Sequence, residues 1–311
     1  MCAETSGHNP VMLAEAVEQL CVRSDGIYID GTFGRGGHAA AILARLGPNG
    51  RLYAFDKDLA AVAWAQEQFG DDARFCILHA SFSELAVAVD NWGVRRKVDG
   101  VLLDLGVSSP QLDEGERGFS FQHDGPLDMR MDQSRGPSAQ QWLATASEQE
   151  ISQTLWEFGE ERRARKIARA IVAARDSRPL ETTSQLAELI AAVAPSRERK
   201  HPATRSFQAI RIAINAELDD LKAGLEGATD VLAAGGRLVV ISFHSLEDRI
   251  AKRFIRDQSA ASVKGSRRLP ELAPPKFRLR RVGGAHRSTA AEIAANPRAR
   301  SAIMRVAERC S

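Results

Sequence analysis

Short apolar runs alternate with amphipathic segments over the first hundred residues. The runs are rich in Val, Ile, Leu and aromatic residues, which is typical of strands buried on both faces of a parallel sheet. The segments between them repeat apolar residues every three or four positions, which predicts helices. The strands are expected at 27–30, 51–56, 74–79 and 98–104, and the helices at 10–20, 38–46, 58–69 and 83–89. This alternation predicts an α/β, doubly wound sheet.

The alternation stops after Asp104. The next strand of comparable apolar character is 236–243, and 132 residues lie between Asp104 and Arg237. A crossover between parallel strands needs only a few turns of helix, so roughly a hundred residues are surplus and should form an insert. We therefore expect a discontinuous sheet domain that carries an inserted domain, with the sheet domain at 1–111 and 212–311 and the insert at 112–211.

The insert is predicted to be mostly helical. Capping boxes at Ser147 and Thr182 begin two of its helices. The other predicted segments are a basic helix over 160–175, a charged linker over 195–202 and a long helix from about Ser206 to Gly235-Gly236. After the fifth strand, the pattern predicts a helix over 245–255 capped by Ser245, an extended or mobile loop over 258–276, and strands over 276–282 and 301–306 separated by a Gly283-Gly284 turn and a loop at Asn296-Pro297.

A glycine-rich turn, Gly31 to Gly37, follows the first strand and precedes a helix. This order brings bare backbone and helix N–H groups close to a ligand. Asp56 ends the next strand about twenty residues on, where a carboxylate accepts hydrogen bonds from a ribose diol. The stretch 34–39 fits the dinucleotide fingerprint, so NAD and S-adenosylmethionine are both open. Two closing strands that pair after the fifth are typical of methyltransferase sheets, which favours the second cofactor.

Composition restricts the class of protein. The chain has 311 residues, of which 44% are apolar and 26% charged, as in ordinary globular proteins. Its apolar runs fall short of the roughly 20 residues of a membrane span, and its start lacks the features of a secretory signal. The four cysteines have no metal-like spacing and are expected to be free thiols in a reducing cytoplasm.

Charge is distributed unevenly along the chain. The net charge is +2, yet residues 249–311 hold 16 Lys and Arg against four acids. Such asymmetry favours a polyanion as partner, although a solvated basic tail would look the same. Seven acids and two arginines lie between Asp104 and Asp132. Their spacing matches no known metal-binding pattern, so we predict no dedicated metal.

Eight motifs extend the argument from fold to family. They are His8-x-Pro10-Val11, Asp30-Gly-Thr-Phe-Gly-Arg-Gly-Gly-His38, Leu103-Asp-Leu-Gly-Val-Ser-Ser-Pro-Gln111, Arg117-Gly-Phe-Ser-Phe121, Gly125-Pro-Leu-Asp-Met-Arg130, His201-Pro-Ala-Thr-Arg205, Ser242-Phe-His-Ser-Leu-Glu-Asp248 and Asn296-Pro-Arg-Ala-Arg-Ser301. With these motifs the chain resembles the ribosomal RNA small subunit methyltransferase H family, also called MraW. The resemblance runs from about residue 8 to residue 308.

The resemblance implies a Rossmann-like class I methyltransferase sheet and S-adenosylmethionine as cofactor. It implies N4-methylation of a cytidine in the decoding region of small-subunit (16S) ribosomal RNA, within an assembled or nearly assembled subunit. Carried over by position, the cofactor contacts are expected at Gly36, Gly37, His38, Asp56, Phe82, Asp104 and Gln111. Asp56 would bind the ribose, and Phe82 would lie near the adenine.

The helical insert and the basic C-terminal part are the expected RNA-binding regions. Phosphate contacts are expected from Arg162, Arg163, Arg165, Lys166, Arg169, Arg197, Arg199, Lys200, Arg205, Lys276, Arg278, Arg280, Arg281, Arg298 and Arg300. The cytosine must leave its stack to be read, against Phe119 or Phe121. The full set of predicted RNA contacts in the motifs is Phe119, Phe121, Arg130, His201, Arg205, Arg298 and Arg300.

The chemistry of transfer needs an acceptor for the N4 proton, because the cytosine N4 lone pair is delocalised into the ring. Many amino-methyltransferases place an Asp/Asn-Pro-Pro-aromatic motif there, whereas this chain has Asp104-Leu-Gly-Val. We expect Asp104, or a backbone carbonyl in 105–110, to be that acceptor. Two alternatives remain from the sequence: an NAD(P)-dependent dehydrogenase, and a nucleotide-regulated RNA-binding module without turnover.

Overall fold

The computed structural model describes residues 10–195, 201–259 and 277–311. The chain forms two compact units, the first from residues 1–106 and 218–311 and the second from residues 107–217. The predicted insert, 112–211, lies within the second unit. None of the described helices is long and apolar enough to cross a membrane. His8, Arg197, Arg199, Lys200, Lys276, the central part of the predicted linker 195–202 and most of the predicted loop 258–276 lie outside the described residues.

A seven-stranded sheet organises the first unit. Its strands are β1 Ile27–Asp30, β2 Arg51–Asp56, β3 Phe75–His79, β4 Val98–Asp104, β5 Leu232–Ser242, β6 Leu279–Arg287 and β7 Ile303–Arg309. The order across the sheet is β3-β2-β1-β4-β5-β7-β6. The first five strands are parallel, and β7 pairs antiparallel with both β5 and β6. The predicted α/β, doubly wound class I methyltransferase sheet is confirmed.

The helices follow in chain order. They are α1 Leu13–Gln19, α2 Gly37–Leu43, α3 Leu59–Phe69, α4 Leu85–Asn91, α5 Ser109–Asp113, α6 Ala139–Thr145, α7 Glu148–Gly159, α8 Ala164–Ser177, α9 Thr183–Val193, α10 Thr204–Asn215, α11 Glu217–Val231, α12 Ser245–Asp257 and α13 Ala290–Ala295. Short 3-10 helices lie at Phe82–Glu84, Gly115–Arg117 and Pro297–Ser301.

Apolar residues cover both faces of the sheet. Neighbouring residues in a strand point to opposite faces, so Tyr28 and Leu102 belong to one core and Ile29 and Leu103 to the other. Residues of α1, α2 and α3 complete the first core, and residues of α4, α11 and α12 complete the second. This two-sided burial explains why the strands are continuous apolar runs.

The prediction of one long helix from Ser206 is wrong, because the segment is divided into α10 and α11. Ala216 adopts a left-handed conformation with φ 52°, and its N–H donates to the Ala213 carbonyl at 3.3 Å. No glycine or proline stands at this break, so periodicity alone does not reveal it. The chain then passes directly from α11 into β5, which begins at Leu232 and contains the predicted Gly235-Gly236 entry.

Two further predictions near the C-terminus are wrong. The N-cap of α12 is His244 rather than Ser245, since its ring Nδ1 accepts from the Glu247 N–H at 3.5 Å. The Gly283-Gly284 pair is not a turn but lies inside β6, at a bulge between Val282 and His286. The connection from β6 to β7 is made instead by α13 and the 3-10 helix that follows it.

The second unit has a helical core of its own. Buried residues of α6 to α10 pack together in it, including Leu143, Ile151, Ile167, Leu186 and Ile210. The capping boxes at Ser147 and Thr182 are present as predicted. The basic helix α8 begins at Ala164 rather than at 160, because Glu160 ends α7 in the left-handed conformation, with φ 49°.

Candidate active site at the carboxyl edge of the sheet

The glycine turn after β1 is held by the backbones of its neighbours. The Gly31 N–H donates to the Leu102 carbonyl at 2.9 Å, and the Phe33 N–H donates to the Phe55 carbonyl at 3.0 Å. The turn therefore bonds to β4 on one side and to β2 on the other. This anchoring fixes the edge of the sheet where parallel strands present their ligands.

Asp56 is held in place by two backbone donors. Its two carboxylate oxygens accept from the Gly34 N–H and from the Asp58 N–H, each at 2.8 Å. Burial raises the pKa of Asp56 to about 6, against the effect of these hydrogen bonds. With a pKa of about 6 the carboxylate is ionised at neutral pH, and each oxygen keeps a further lone pair that can accept a hydrogen bond from a hydroxyl group.

Two of the glycines have packing reasons that involve no ligand. A Cβ on Gly37 would lie 2.1 Å from Pro10 Cγ, and a Cβ on Gly36 would lie 2.6 Å from Phe33 Cζ. Gly36 also has φ 75°, in the left-handed region that favours glycine. Close packing thus accounts for both glycines, and their contact with a cofactor stays a prediction.

His38 and Asp104 meet across the edge. The ring Nδ1 of His38 lies 3.6 Å from Asp104 Oδ2, and the Asp104 N–H donates to Thr32 Oγ1 at 2.7 Å. Burial lowers the pKa of His38 to about 4, so its imidazole is neutral at pH 7. Burial, followed by the charges of Asp30 and Glu247, raises the pKa of Asp104 well above its usual range.

Asp30 is a third acid on this edge. Its side chain is 1% exposed, and one oxygen accepts from the Thr32 N–H at 3.1 Å. Burial, reinforced by the charge of Asp56, raises the pKa of Asp30 to about 7. The sequence alone identifies Asp30 only as the end of β1. The structure links it to Asp104 through Thr32, whose N–H donates to Asp30 and whose hydroxyl accepts from the Asp104 N–H.

The segment after β5 contributes the pair His244 and Glu247, to which the sequence alone assigns no role. Glu247 is 2% exposed and accepts from the Phe243 N–H at 2.8 Å, and its Oε1 lies 3.2 Å from His244 Nε2. Because His244 Nδ1 accepts the Glu247 N–H, the neutral ring carries its proton on Nε2. The motif Ser242–Asp248 therefore supplies an acid and an imidazole next to β4.

Phe82 stands in the turn after β3. It opens a 3-10 helix whose N-cap Ser81 forms a capping box with Glu84. The ring is half-buried and packs close to α11, since a Cβ on Gly224 would lie 2.4 Å from its Cδ2. One part of the ring is thus in contact with the protein, and another part is exposed.

Five buried polar atoms of this edge have no hydrogen-bond partner in the part of the chain that the structure describes. They are Asp30 Oδ2, His38 Nε2, Asp104 Oδ1, Ser242 Oγ and His244 Nε2. A buried polar atom without a partner costs about 1–3 kcal/mol, so such a cluster fits a polar ligand that satisfies it. An amino-acid group carrying an ammonium and a carboxylate supplies both donors and acceptors of this kind. The residues present therefore fit S-adenosylmethionine.

The second unit holds Gln111 and most of the predicted RNA contacts. Gln111 is 4% exposed, and its Oε1 accepts from the Ser108 N–H at 3.0 Å in the capping box of α5. Phe119 is 6% exposed, so neither face of its ring is free for a base. The half-buried Phe121 contacts His201 and Phe207, with ring centroids 4.6 and 4.8 Å apart.

The basic residues differ in their exposure. Arg130 is half-buried and binds Asp128 through two nitrogens, both at 2.8 Å, and Arg205 is exposed at the start of α10. Arg300 is exposed and Arg298 half-buried in the 3-10 helix before β7, in the first unit. The structure brings Phe121 and His201 together and places Arg298 and Arg300 in a different unit from them.

Comparison with known proteins gives the family. A model of the MraW methylase family matches residues 5–310. A ribosomal RNA small subunit methyltransferase H from Thioalkalivibrio sulfidiphilus is 59% identical over 309 residues, 97% of each chain. Proteins of the same name from Xanthomonas euvesicatoria and Ralstonia pickettii are 56% and 58% identical, over 99% and 97% of this chain and 90% and 97% of their own.

Among solved structures, an rRNA methylase from Streptococcus thermophilus aligns over 96% of this chain and 95% of its own, with 12% identity and a TM-score of 0.42. The family match and the three relatives extend over nearly the whole sequence, and the matched residues 5–310 span all the motifs quoted above. The chain therefore belongs to the MraW methylase family, whose methyl donor is S-adenosylmethionine.

Proposed function

We propose that this protein transfers a methyl group from S-adenosylmethionine to N4 of a cytidine in the decoding region of small-subunit (16S) ribosomal RNA. Methylation of small-subunit ribosomal RNA follows from the family and from relatives that carry that name over almost their full length. The choice of base and position rests on the resemblance of the motifs. Membership of a methylase family argues against the alternative function, a dehydrogenase that binds NAD(P) at the same glycine turn. The cytoplasmic location predicted from the free cysteines stays a prediction.

The observation that carries the proposal is the cluster of buried acids at the ends of β1, β2 and β4, in a chain that belongs to a methylase family. Asp56 would hold the ribose diol, Phe82 the adenine, and the unpartnered atoms of His38 and Asp104 the amino-acid end. When bound, S-adenosylmethionine supplies an already activated methyl group on a sulfonium. The protein therefore needs to align the target nitrogen with that methyl and exclude water, and positioning of this kind supplies several kcal/mol, roughly, of the barrier.

The acceptor for the N4 proton is the part of the chemistry that the chain itself must provide. Asp104 ends β4 with a buried oxygen, Oδ1, that is not otherwise bonded within the described residues. Burial raises the pKa of Asp104, and a positive charge on a ligand bound beside the carboxylate would favour its ionised, accepting form. Asp104 would then accept from N4–H and lower the energy of the nitrogen as it loses its conjugation with the ring.

The second unit is proposed to bind the RNA. Arg162, Arg163, Arg165, Lys166 and Arg169 are all exposed at or near α8, while Ile167, Ala168 and Ile171 bury its other side. A helix with this division presents one basic face to solvent, and phosphates are the ligands such a face attracts. The half-buried ring of Phe121, next to His201, is the stacking surface proposed for an extruded base.

Transfer of a labelled methyl group tests the proposal directly. The protein is incubated with labelled S-adenosylmethionine and either isolated 16S RNA or small subunits from cells that lack the gene, and the RNA is then digested for nucleoside mass spectrometry. We expect N4-methylcytidine at one position, with faster transfer into subunits than into free RNA. Label on another base contradicts the N4 assignment, and binding of NADH without transfer supports the dehydrogenase alternative. Binding of RNA with no transfer supports the module without turnover.

The RNA-binding role of α8 has a separate test. The variant R165E/K166E should weaken RNA binding and lower the slope of log K against log salt by about 2, since two phosphate contacts are lost. Lys97→Glu, an exposed lysine of the first unit, serves as the control and should leave the slope unchanged. An unchanged slope in R165E/K166E would remove α8 from the interface.

A further inference from the structure

Helix α11 contacts both loops that flank the adenosine end of the candidate site. Asp220, in its first turn, accepts on a single oxygen, Oδ2, from Lys57 Nζ and from Ser81 Oγ, each at 2.7 Å. Lys57 is the residue after Asp56, and Ser81 is the residue before Phe82. One carboxylate of α11 thus joins the loop that carries the proposed ribose ligand to the loop that carries the proposed adenine contact.

One helical turn further along the same face, Gly224 meets Phe82 itself. A Cβ on Gly224 would lie 2.4 Å from Cδ2 and 2.8 Å from Cε2 of the Phe82 ring. Gly31 approaches Phe82 as well, because a Cβ there would lie 3.0 Å from Phe82 Cβ. Gly224 therefore leaves room for the Phe82 ring, and Gly31, on a different segment of the chain, leaves room for the Cβ that carries it.

We propose that the face of α11 formed by Asp220 and Gly224 is a wall of the adenosine half of the cofactor site, in which Asp220 is a positioning residue for Asp56 and Phe82 and Gly224 sets the place of the Phe82 ring. The inference rests on the proposed function, because it assigns the adenosine to Asp56 and Phe82. It adds to this part of the site a helix that follows the second unit along the chain.

The surroundings of Asp220 distinguish this contact from an ordinary surface pair. The side chains of Asp220 and Lys57 are 18% and 24% exposed, so solvent screens their attraction only in part. The adjacent Asp219 pairs with Lys222 at 2.8 Å, but those side chains are 81% and 61% exposed. Exposed pairs contribute little, so the two neighbouring aspartates form a matched comparison between a connecting and a non-connecting carboxylate.

The glycines of α11 provide a second matched pair. A Cβ on Gly227 would lie 3.4 Å from Leu85 Cγ and 3.5 Å from Ala86 Cβ, which is ordinary contact distance. Alanine at either glycine gains the same helix propensity. Only Gly224→Ala forces the Phe82 ring to move, so the two variants separate a change in the site from a change in the helix.

Calorimetric titration of the full chain with three ligands tests the proposal. S-adenosylmethionine, S-adenosylhomocysteine and 5′-methylthioadenosine share the adenosine, and the last lacks the amino-acid end. Asp220→Ala should bind all three about tenfold more weakly, because the loops that carry Asp56 and Phe82 lose the carboxylate that connects them. Gly224→Ala should weaken all three by a similar factor. Asp219→Ala and Gly227→Ala should bind as the unchanged protein does.

A split between kinetic parameters completes the test. Turnover at saturating cofactor should stay within about twofold in Asp220→Ala while KM for the cofactor rises, since the methyl and the N4 acceptor are left in place. Asp220→Asn keeps one acceptor oxygen, so its KM for the cofactor should lie between those of the wild-type protein and Asp220→Ala. This variant replaces Asp220→Ala in the test if the alanine variant does not fold. Unchanged affinity for 5′-methylthioadenosine in Asp220→Ala and Gly224→Ala overturns the inference. If the unchanged protein does not bind S-adenosylmethionine at all, the proposed function fails instead.

Discussion

The acids at the carboxyl edge of the sheet and the acids of the helical unit lie in contrasting surroundings. At the edge of the sheet, burial raises the pKa of Asp30, Asp56 and Asp104, and two of these side chains keep an oxygen with no partner among the described residues. In the helical unit, hydrogen bonds from Ser184 lower the pKa of Asp124, and those from Ser147 lower the pKa of Glu150. At Asp128, burial raises the pKa, but the hydrogen bonds and charge of Arg130 outweigh it and the pKa is lowered.

This contrast separates ligand binding from structure. A carboxylate whose acceptor positions are filled by the protein contributes to the fold and has little left for a ligand. A buried carboxylate with an unfilled position is unfavourable until something binds it. The first unit is therefore the one arranged to receive a polar molecule at fixed sites, and the second uses its charges to cap helices and pair loops. The following substitutions test that division, beginning with the largest expected effect.

Asp104→Ala should reduce methyl transfer by about 10²- to 10⁴-fold, the usual contribution of a positioned proton acceptor. The free energy of unfolding should change little or rise, because an unpaired buried carboxylate is removed. Single-turnover transfer with labelled cofactor and a urea denaturation curve measure the two effects. Full turnover with unchanged cofactor affinity would transfer the acceptor role to a carbonyl in 105–110.

Asp56→Ala should weaken S-adenosylmethionine binding about thirtyfold or more, because two hydroxyl contacts with a charged acceptor are lost. Asp72→Ala is the control, since that acid is bonded to Arg74 at 2.6 Å and lies at the start of β3. Isothermal titration gives both constants. Equal affinities in the two variants would contradict the ribose assignment.

Asp128→Ala should lower the free energy of unfolding by about 1–3 kcal/mol, since the two bonds to Arg130 are lost from side chains 14% and 22% exposed. Cofactor affinity should not change. Lower stability with unchanged cofactor affinity is the reverse of the result expected for Asp104→Ala. Urea denaturation measures the stability, and calorimetric titration with S-adenosylmethionine measures the affinity. A loss of cofactor affinity without a loss of stability would break the division between the units.

The pH dependence of cofactor binding should give the smallest effect. Asp56 has its pKa raised to about 6, so the free site takes up a proton below that pH and affinity falls with falling pH. Relative to pH 8, binding at pH 5 should be weaker by about tenfold from this group alone. Asp30 and Asp58 also face Asp56, so the comparison is made with Asp56→Asn, whose affinity should lose this part of the slope. An unchanged slope would place the titrating group elsewhere.

Local patterns predicted the elements well where one physical signal dominates. The first four strands and most helices follow from apolar runs and capping residues, because parallel strands must be apolar on both faces. The break at Ala216 and the cap at His244 escaped prediction, since the first uses a strained alanine and the second an imidazole in a position usually held by Ser, Thr, Asp or Asn. Both depend on packing that sequence periodicity does not encode.

Residues of the candidate site could be predicted only where they directly follow a predicted strand or turn in the sequence. Asp56 and Asp104 end strands and were expected for that reason. Asp220 and Gly224 lie on a helix beyond the insert, and their role appears only when the fold brings them to Ser81 and Phe82. Phe119 was chosen as an aromatic residue in a polar loop, yet it is buried, because a lone phenylalanine in such a loop serves as readily to anchor it.

The long separation between the two sides of the adenosine wall has a consequence for biogenesis. Lys57 and Asp220 are 163 residues apart, and β5 completes the parallel part of the sheet only after the whole helical unit has been synthesised. A nascent chain that has emerged as far as β4 has the glycine turn but neither α11 nor β5 to support it. Pairings this distant in sequence form late and slowly, so the enzyme acquires its cofactor only when nearly all of it has left the ribosome.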